Sequence, residues 1–569
     1  MKISDFIVQF LEDRGVSDVF GYPGGMVTHF LDSLNKSSKI HTHINYHEQG
    51  SSFSACGYAQ INGSPTVAFS TSGPGATNMI TGICNSWFDS IPALFISGQV
   101  NTYERKDGLP LRQRGFQETD IISIINSVTK YSIQITRKED ICYEFEKCWY
   151  LAIEGRPGPV YVDIPMDIFR SDIDVAIARH FEPAPVVYDN PDEIAINILT
   201  QLKKSRKPVL LLGNGAHAVE KSTIVEFINV LNIPVVTSMP AIDLLPTDSQ
   251  NGYGFIGAYG SRIANTIIDK CDLILVFGSR LDRRQTGNER NQFAKNARII
   301  RIDIDADEFS ERVNENEDQY HGDIRDVIRS LLTRNDLQMA CDTWHATCQK
   351  IRGLLCDYDM QRPNQLVRHL SSMVPDGTII TTDVGQNQVW VAQSFNVRPS
   401  QRVLFSVGHG AMGYSLPAAI GACYAGKKCT VVSFNGDGGI QMNIQEMQAI
   451  VRDQLPVKII VLNNYSLGMI RHFQEMYFES EYAFTQGSQG YTVPDFVALA
   501  RAYGMNAMIY SNEGDDDNFQ KMILSPKPCL VEIQMHENTY TLPKSIYNKP
   551  LSCQTPPLDP LRQKMIDDL

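Results

Sequence analysis

The stretch CTVVSFNGDGGIQMNIQEMQAIVRDQLPVKIIVLNNYSLGM, residues 429–469, decides the architecture. Its first apolar run, ending at Phe434, reads as a strand that delivers Gly436-Asp437-Gly438 into a turn. A helical pattern follows, with Met442, Met447, Ile450 and Val451 expected inward, and a second apolar run, VKIIVL, closes at Asn463-Asn464. Strand, crossover helix and strand make a parallel unit, so the two polar endpoints fall on one sheet edge at neighbouring strand ends. A hard divalent cation takes oxygen ligands in octahedral array and keeps phosphate oxygens among them. The Asp437 carboxylate, the Asn464 amide oxygen and a backbone carbonyl near Ser466 supply three such oxygens. The flanking glycines let the backbone approach a diphosphate closely. A lone Gly-Asp-Gly would be only a turn. Followed one βαβ unit later by Asn-Asn, it points to a metal-held diphosphate.

Similar apolar runs recur along the chain: TVAFSTSGP, IPALFISGQV, GPVYVDIP, KPVLLLGNG, DLILVFGSR and GTIITTDVG. Each ends in Gly, Pro, Asp or Asn, and helical periodicity follows several of them. Runs buried on both faces indicate parallel sheets, so the expected class is α/β, doubly wound. At 569 residues the chain exceeds what one core usually supports. Two linkers, FEPAPVVYDNPDE (181–193) and CDYDMQRPNQ (356–365), divide it into three parallel-sheet domains, expected at 1–180, 190–350 and 360–545. A Pro-interrupted tail, 546–569, is expected to drape over the body or a neighbouring subunit.

The chain opens with MKISDFIVQFLEDRG, an amphipathic helix with Ile3, Phe6, Ile7, Phe10 and Leu11 on one face. It has no basic leader or cleavage site, so no export signal is expected. No run has the apolar length of a membrane span. Net charge is −13 and the basic residues form no stripe, which argues against nucleic-acid binding. Twelve cysteines without CxxC spacing read as reduced, buried thiols in a cytoplasmic protein.

With these words in place, the chain resembles the thiamine diphosphate (ThDP) enzymes, and its local phrases look like acetolactate synthase and its relatives. The resemblance runs from GYPGG (21–25) to LNN and beyond. It implies a pyrimidine-binding first domain, a central FAD-type domain and a diphosphate-binding third domain. Asp437, Asn464 and, through its carbonyl, Ser466 would hold Mg2+. Gln386 in DVGQNQVW and Gly436, Gly438 and Gly439 would line the diphosphate. Gly410 and Met469 are further cofactor positions. Asn387 stands where acetolactate synthases usually carry His, so one phosphate-side contact differs.

ThDP chemistry requires a carboxyl group that hydrogen-bonds the aminopyrimidine ring, in an apolar pocket where a proton can be shared. YHEQGSSFSACGYA places Glu48 at a strand end before a small-residue helix and matches the family's activator motif. Met412, between two glycines in GHGAMGYSLPAAIGA, matches the residue that supports the bent cofactor; a Met before an Ala-rich helix is otherwise core filler. TSGPGATNMITGICNSWFDSIP (71–92) would form part of the pyrimidine side.

The middle segments KPVLLLGNGAH, DLILVFGSRLDRRQTG, ARIIRIDIDADE and HGDIRDVI resemble the FAD domain of acetolactate synthases. Gly213 and Gly215 alone are a weak dinucleotide signal. With Gly278, Arg280, Asp282, Asp303 and Asp323 they are the matching flavin positions, for a flavin that can be structural. The Arg280 fork also suits the carboxylate of a second keto acid.

Phe116 and Gln117 occupy family positions over the reacting carbon, and Val27, Phe116 and Met469 would make an apolar wall for a methyl group. Pyruvate, a small-molecule 2-keto acid, is thereby the implied donor. The acceptor edge departs from the family: Phe473 replaces a Trp, Met166 a Lys, and RLDRRQTG the usual RFDDRVTG. Those changes keep open transfer of the two-carbon unit to a nucleotide-linked keto sugar. Simple decarboxylation and a non-catalytic ThDP-fold protein are further alternatives, the last disfavoured by Glu48, Asp437 and Asn464. The likeness also implies active sites between subunits, in a homodimer or homotetramer, with room for a regulatory subunit.

Overall fold

The computed structural model describes all residues except 335, 336, 338–340, 357 and 359. The second linker therefore lies partly outside the described residues. Among the described residues, three six-stranded sheets run in the orders β2-β1-β3-β4-β6-β5, β12-β11-β10-β7-β8-β9 and β14-β13-β15-β16-β18-β17. The first holds β1 (Asp18–Gly21), β2 (His41–Ile44), β3 (Thr66–Ser70), β4 (Ala93–Gln99), β5 (Tyr131–Gln134) and β6 (Pro159–Pro165). The second holds β7 (Pro208–Leu212), β8 (Val235–Thr237), β9 (Gly252–Phe255), β10 (Leu273–Phe277), β11 (Arg298–Asp303) and β12 (Glu317–His321). The third holds β13 (Ile379–Thr382), β14 (Arg402–Leu404), β15 (Val431–Gly436), β16 (Val457–Asn463), β17 (Asn506–Tyr510) and β18 (Cys529–Gln534). Pairings such as β1–β3, β7–β10 and β15–β16 are parallel.

The strands show why their sequences carry no polar alternation. In β7, Leu210 and Leu212 enter one core while Val209 and Leu211 enter the core on the opposite face. Both faces are covered, so every position is apolar.

Two compact units result. One joins residues 1–185, 377–388 and 404–538; the other comprises 186–376, 389–403 and 539–569. The first and third sheets thus share a unit, which the three sequence ranges do not anticipate. Their junction is built from the helices Glu48–Asn62 and Ser415–Ala425. A Cβ on Gly57 would stand 2.2 Å from the Ala418 carbonyl oxygen, and one on Gly421 only 1.8 Å from that of Ser54. Small residues let the two backbones touch, and the Ser54 hydroxyl donates to the Pro417 carbonyl at 2.9 Å. Gly421→Ala should therefore force the pair apart and cost about 1–3 kcal/mol. A thermal or denaturant unfolding transition of the variant that coincides with wild type would show that this contact is not tight.

The last stretch belongs to the second unit. Lys544–Ser545 pairs antiparallel with Gln554–Thr555, Leu551 and Ile566 enter a core beside the second sheet, and the Gln554 amide donates to the Gly260 carbonyl. All twelve cysteines are free thiols. Among the described residues, no helix is long and apolar enough to cross a membrane.

Candidate active site

Strands β15 and β16 are neighbours in register, with Gly436 opposite Leu462. Asp437 and Asn464 consequently leave the sheet side by side. The Asp437 carboxylate accepts from the Gly438 N–H at 3.0 Å and, through its other oxygen, from the Ser466 N–H at 3.1 Å. Tyr465 lies at φ +54°, and this left-handed residue folds Ser466 back towards Asp437. Burial pushes the Asp437 carboxyl up to about 7, because those backbone donors only partly replace water. The Asn464 amide nitrogen donates to the Gln386 side-chain oxygen at 2.9 Å, which fixes the amide plane. A Cβ on Gly468 would lie 2.0 Å from that same Gln386 oxygen, so the helix Gly468–Tyr477 begins directly over it.

The expected helix after the turn differs in detail. A 3-10 segment, Ile440–Glu446, comes first and kinks at Asn443; the α-helix Met447–Arg452 follows. Met447 and Ile450 are buried as expected, but Met442 is 54% exposed. The kink lets the Asn443 amide donate to the Gly413 carbonyl at 2.8 Å, tying the Met412 loop to the turn.

Asp383 strengthens that tie, and the reading of the sequence passed over it. It closes the run GTIITT, so the rule that polar residues at strand ends carry function could have found it. Its buried carboxylate accepts the Gly413 N–H at 2.9 and 3.1 Å and that of Val384 at 2.8 Å. Burial raises this carboxyl also to about 7. A Cβ on Gly439 would stand 1.9 Å from its oxygen. Asp383 therefore fastens Met412 to the Gly-Asp-Gly-Gly turn. A Cβ on Gly438 would meet Leu467 at 2.9 Å, the Tyr491 hydroxyl at 3.1 Å and the Met412 methyl at 3.2 Å. At Gly438 and Gly439 the turn leaves little room for a side chain.

Two buried polar atoms here have no hydrogen-bond partner, the Asn387 side-chain oxygen and the Tyr491 hydroxyl. The Asn387 amide nitrogen lies 3.1 Å from where a Gly436 Cβ would be. One carboxylate, amide side chains, backbone and unpaired polar atoms suit a hard cation that shares phosphate oxygens. Among the described residues, no cluster of three His, Cys, Asp or Glu side chains forms a self-sufficient metal cage. The residues present fit a metal–diphosphate.

The activator end lies on the first sheet. Glu48, 9% exposed, begins its helix after the His47 cap and accepts from the Asn78 amide at 3.0 Å. Its other oxygen is 3.2 Å from the Cβ position of Gly75, and a Cβ on Gly73 would meet the Gln117 carbonyl at 2.9 Å. Gln117 itself is at φ +64°. Glu48, the 71–78 turn and Gln117 are thus brought together, and Phe116 beside them is 79% exposed. Val27 is not brought to this wall. It is fully buried in the core with Phe30, Phe69 and Phe169. Phe473 and Tyr477 stack on the helix after the metal motif, with ring centres 6.1 Å apart. The partners of Glu48 belong to the first sheet and those of Asp437 to the third.

In the second unit the flavin positions follow β7 (Gly213), β10 (Gly278) and β12 (Asp323) and close β11 (Asp303). These four strands are consecutive in the sheet, so the positions share one edge. Gly278, at φ +64°, and Gly213 pack backbone against backbone; a Gly213 Cβ would lie 2.2 Å from the Gly278 oxygen. Arg280 pairs with Asp282 at 3.3 Å. Burial raises the Asp282 carboxyl, but Arg280 and nearby donors outweigh it and leave the group below its usual range. Asp323 caps the helix Ile324–Leu332 and pairs with Arg325.

Residues 1–124, 196–331 and 383–533 match the families described as thiamine pyrophosphate enzyme N-terminal TPP binding domain, central domain and C-terminal TPP binding domain. The chain is 35% identical to a probable acetolactate synthase large subunit of Methanocaldococcus jannaschii, over 94% of this chain and 92% of the relative. It is 33% identical to the acetolactate synthase large subunit of Lactococcus lactis, over 95% and 93%. It is 32% identical to the acetolactate synthase isozyme 1 large subunit of Escherichia coli, over 94% and 93%.

Proposed function

The chain belongs to the thiamine pyrophosphate enzymes, and from that membership we propose that it decarboxylates pyruvate and joins the two-carbon unit to a second keto acid, as an acetolactate synthase. The observation that carries this reading is the placing of Asp437 and Asn464 at adjacent strand ends, beside a turn whose Gly438 and Gly439 leave little room for a side chain. Thiamine diphosphate supplies a carbon nucleophile that adds to a keto acid and takes up the electrons left when CO2 departs.

The chain's own residues do the rest. Asp437, Asn464 and the Ser466 carbonyl hold Mg2+, while Gln386 orients Asn464 and Gly436, Gly438 and Gly439 admit the phosphates. Met412, fastened through Asp383 and Asn443, supports the bend. Gly410 and Met469 flank it. Glu48 holds a proton at the pyrimidine ring, and Gln117 and Phe116 close over the reacting carbon. The likeness to acetolactate synthases implies that the active site is completed between two copies, Glu48 from one and Asp437 from the other. Phe473 lines the acceptor side; the Arg280 fork, paired here with Asp282, suits a keto-acid carboxylate. The edge bearing Gly213, Gly215, Gly278, Asp303 and Asp323 holds FAD. The acetolactate synthase relatives do not favour transfer to a nucleotide-linked sugar.

Purified protein given pyruvate, thiamine diphosphate and Mg2+ should form acetolactate, measured after conversion to acetoin. Acetaldehyde as the main product would mean a decarboxylase, and pyruvate-dependent oxygen uptake an oxidase; either overturns the carboligase reading.

A further inference from the structure

The Tyr491 hydroxyl is buried at the metal end of the third sheet, without a hydrogen-bond partner and 3.1 Å from where a Gly438 Cβ would stand. It reaches this point through the turn 486–491. Tyr491 N–H donates to the Gln486 carbonyl at 3.2 Å, Gly490 takes φ +93°, and Gln486 bridges antiparallel to Ser466. The residue whose N–H holds Asp437 therefore also anchors the turn that presents the phenol. Asp437 has both oxygens engaged by backbone donors, Gly438 N–H and Ser466 N–H. The acceptor that faces the phenol is the Asp437 carboxylate, already taken by those two N–H groups, and no hydrogen bond of good geometry forms to it, so the hydroxyl's lost water is not fully replaced, at a cost of about 1–3 kcal/mol. Such a cost is sustained where a ligand supplies the acceptor.

We infer that Tyr491 is a diphosphate-binding residue, whose hydroxyl donates to a phosphate oxygen of the ligand held by Asp437 and Asn464. The position argues for the phosphate end, because the hydroxyl lies against Gly438, one of the glycines proposed to admit the phosphates. A doubly charged phosphate is a strong acceptor, and a hydrogen bond to a charged group contributes about 1.5–3 kcal/mol. The inference rests on the thiamine diphosphate reading of the site and adds a contact outside the Gly-Asp-Gly and Asn-Asn words.

The test is Tyr491→Phe in the full chain, which keeps the ring and removes only the hydroxyl. Calorimetric titration with thiamine diphosphate and Mg2+, and separately with inorganic diphosphate and Mg2+, should show both dissociation constants raised, by about 10-fold or more. The ligand-free variant should melt at or above the wild-type temperature, since an unpaired buried group has been removed. Unchanged constants for both ligands overturn the inference. So does a lowered ligand-free melting temperature with unchanged binding, which would assign the hydroxyl a structural role. A wild-type chain that binds neither ligand overturns the thiamine diphosphate reading and this inference together.

Discussion

Glu48→Gln should lower pyruvate turnover by about 10²–10⁴-fold while thiamine diphosphate stays bound. The substitution is nearly isosteric. Glu48 is buried at the first turn of its helix and accepts a hydrogen bond from the Asn78 amide. A glutamine carbonyl oxygen can accept that bond equally well, so the helix start and the packing against Gly75 should survive. The amide cannot share a proton with the pyrimidine ring, and that is the step the carboxyl is proposed to perform. Steady-state pyruvate consumption, set beside the cofactor content of the desalted protein, separates the two effects. Near-normal consumption would remove Glu48 from the chemistry; loss of cofactor with it would make the residue a binding group instead.

Asp437→Ala should abolish Mg2+-dependent retention of thiamine diphosphate. Removing groups that merely support a ligand costs about 10–100-fold in metal affinity, and Asp437 is proposed as the ligand itself, so the loss should be at least about 100-fold. Cofactor measured after gel filtration in Mg2+ is the readout, and wild-type content in the variant would refute the metal assignment. Misfolding can be told apart from this loss. Burial raises the Asp437 carboxyl from 3.8 to about 7 in the folded chain. The unfolded chain releases that proton first as pH rises, so the group costs stability progressively between those values and fully above about 7. At pH 8 the ligand-free variant, freed of this cost, should melt no lower than wild type.

Gly-Asp-Gly and Asn-Asn could be read without coordinates for one reason. Parallel strands covered on both faces are unbroken apolar runs, so the polar residue that ends each run marks a strand tip. A single crossover then puts successive tips side by side, as Gly436 and Leu462 show. Asp383 obeys the same rule and was legible, though passed over.

Other features depended on residues that only folding brings together. Nothing near Val27 announces that it is buried in the core with Phe30 and Phe69. The contact of Gly421 with Ser54 spans most of the chain, and glycines in an Ala-rich helix do not disclose whose backbone they approach. Tyr491 is a lone tyrosine in a polar stretch; its place over Gly438 follows from a bridge between Gln486 and Ser466. Local periodicity and strand-end chemistry thus determined the sheets and the groups at their tips. Which backbones touch, which side chains vanish into the core and which donors are left facing the turn were decided by packing between distant segments, where close contact rather than sequence spacing sets the energy.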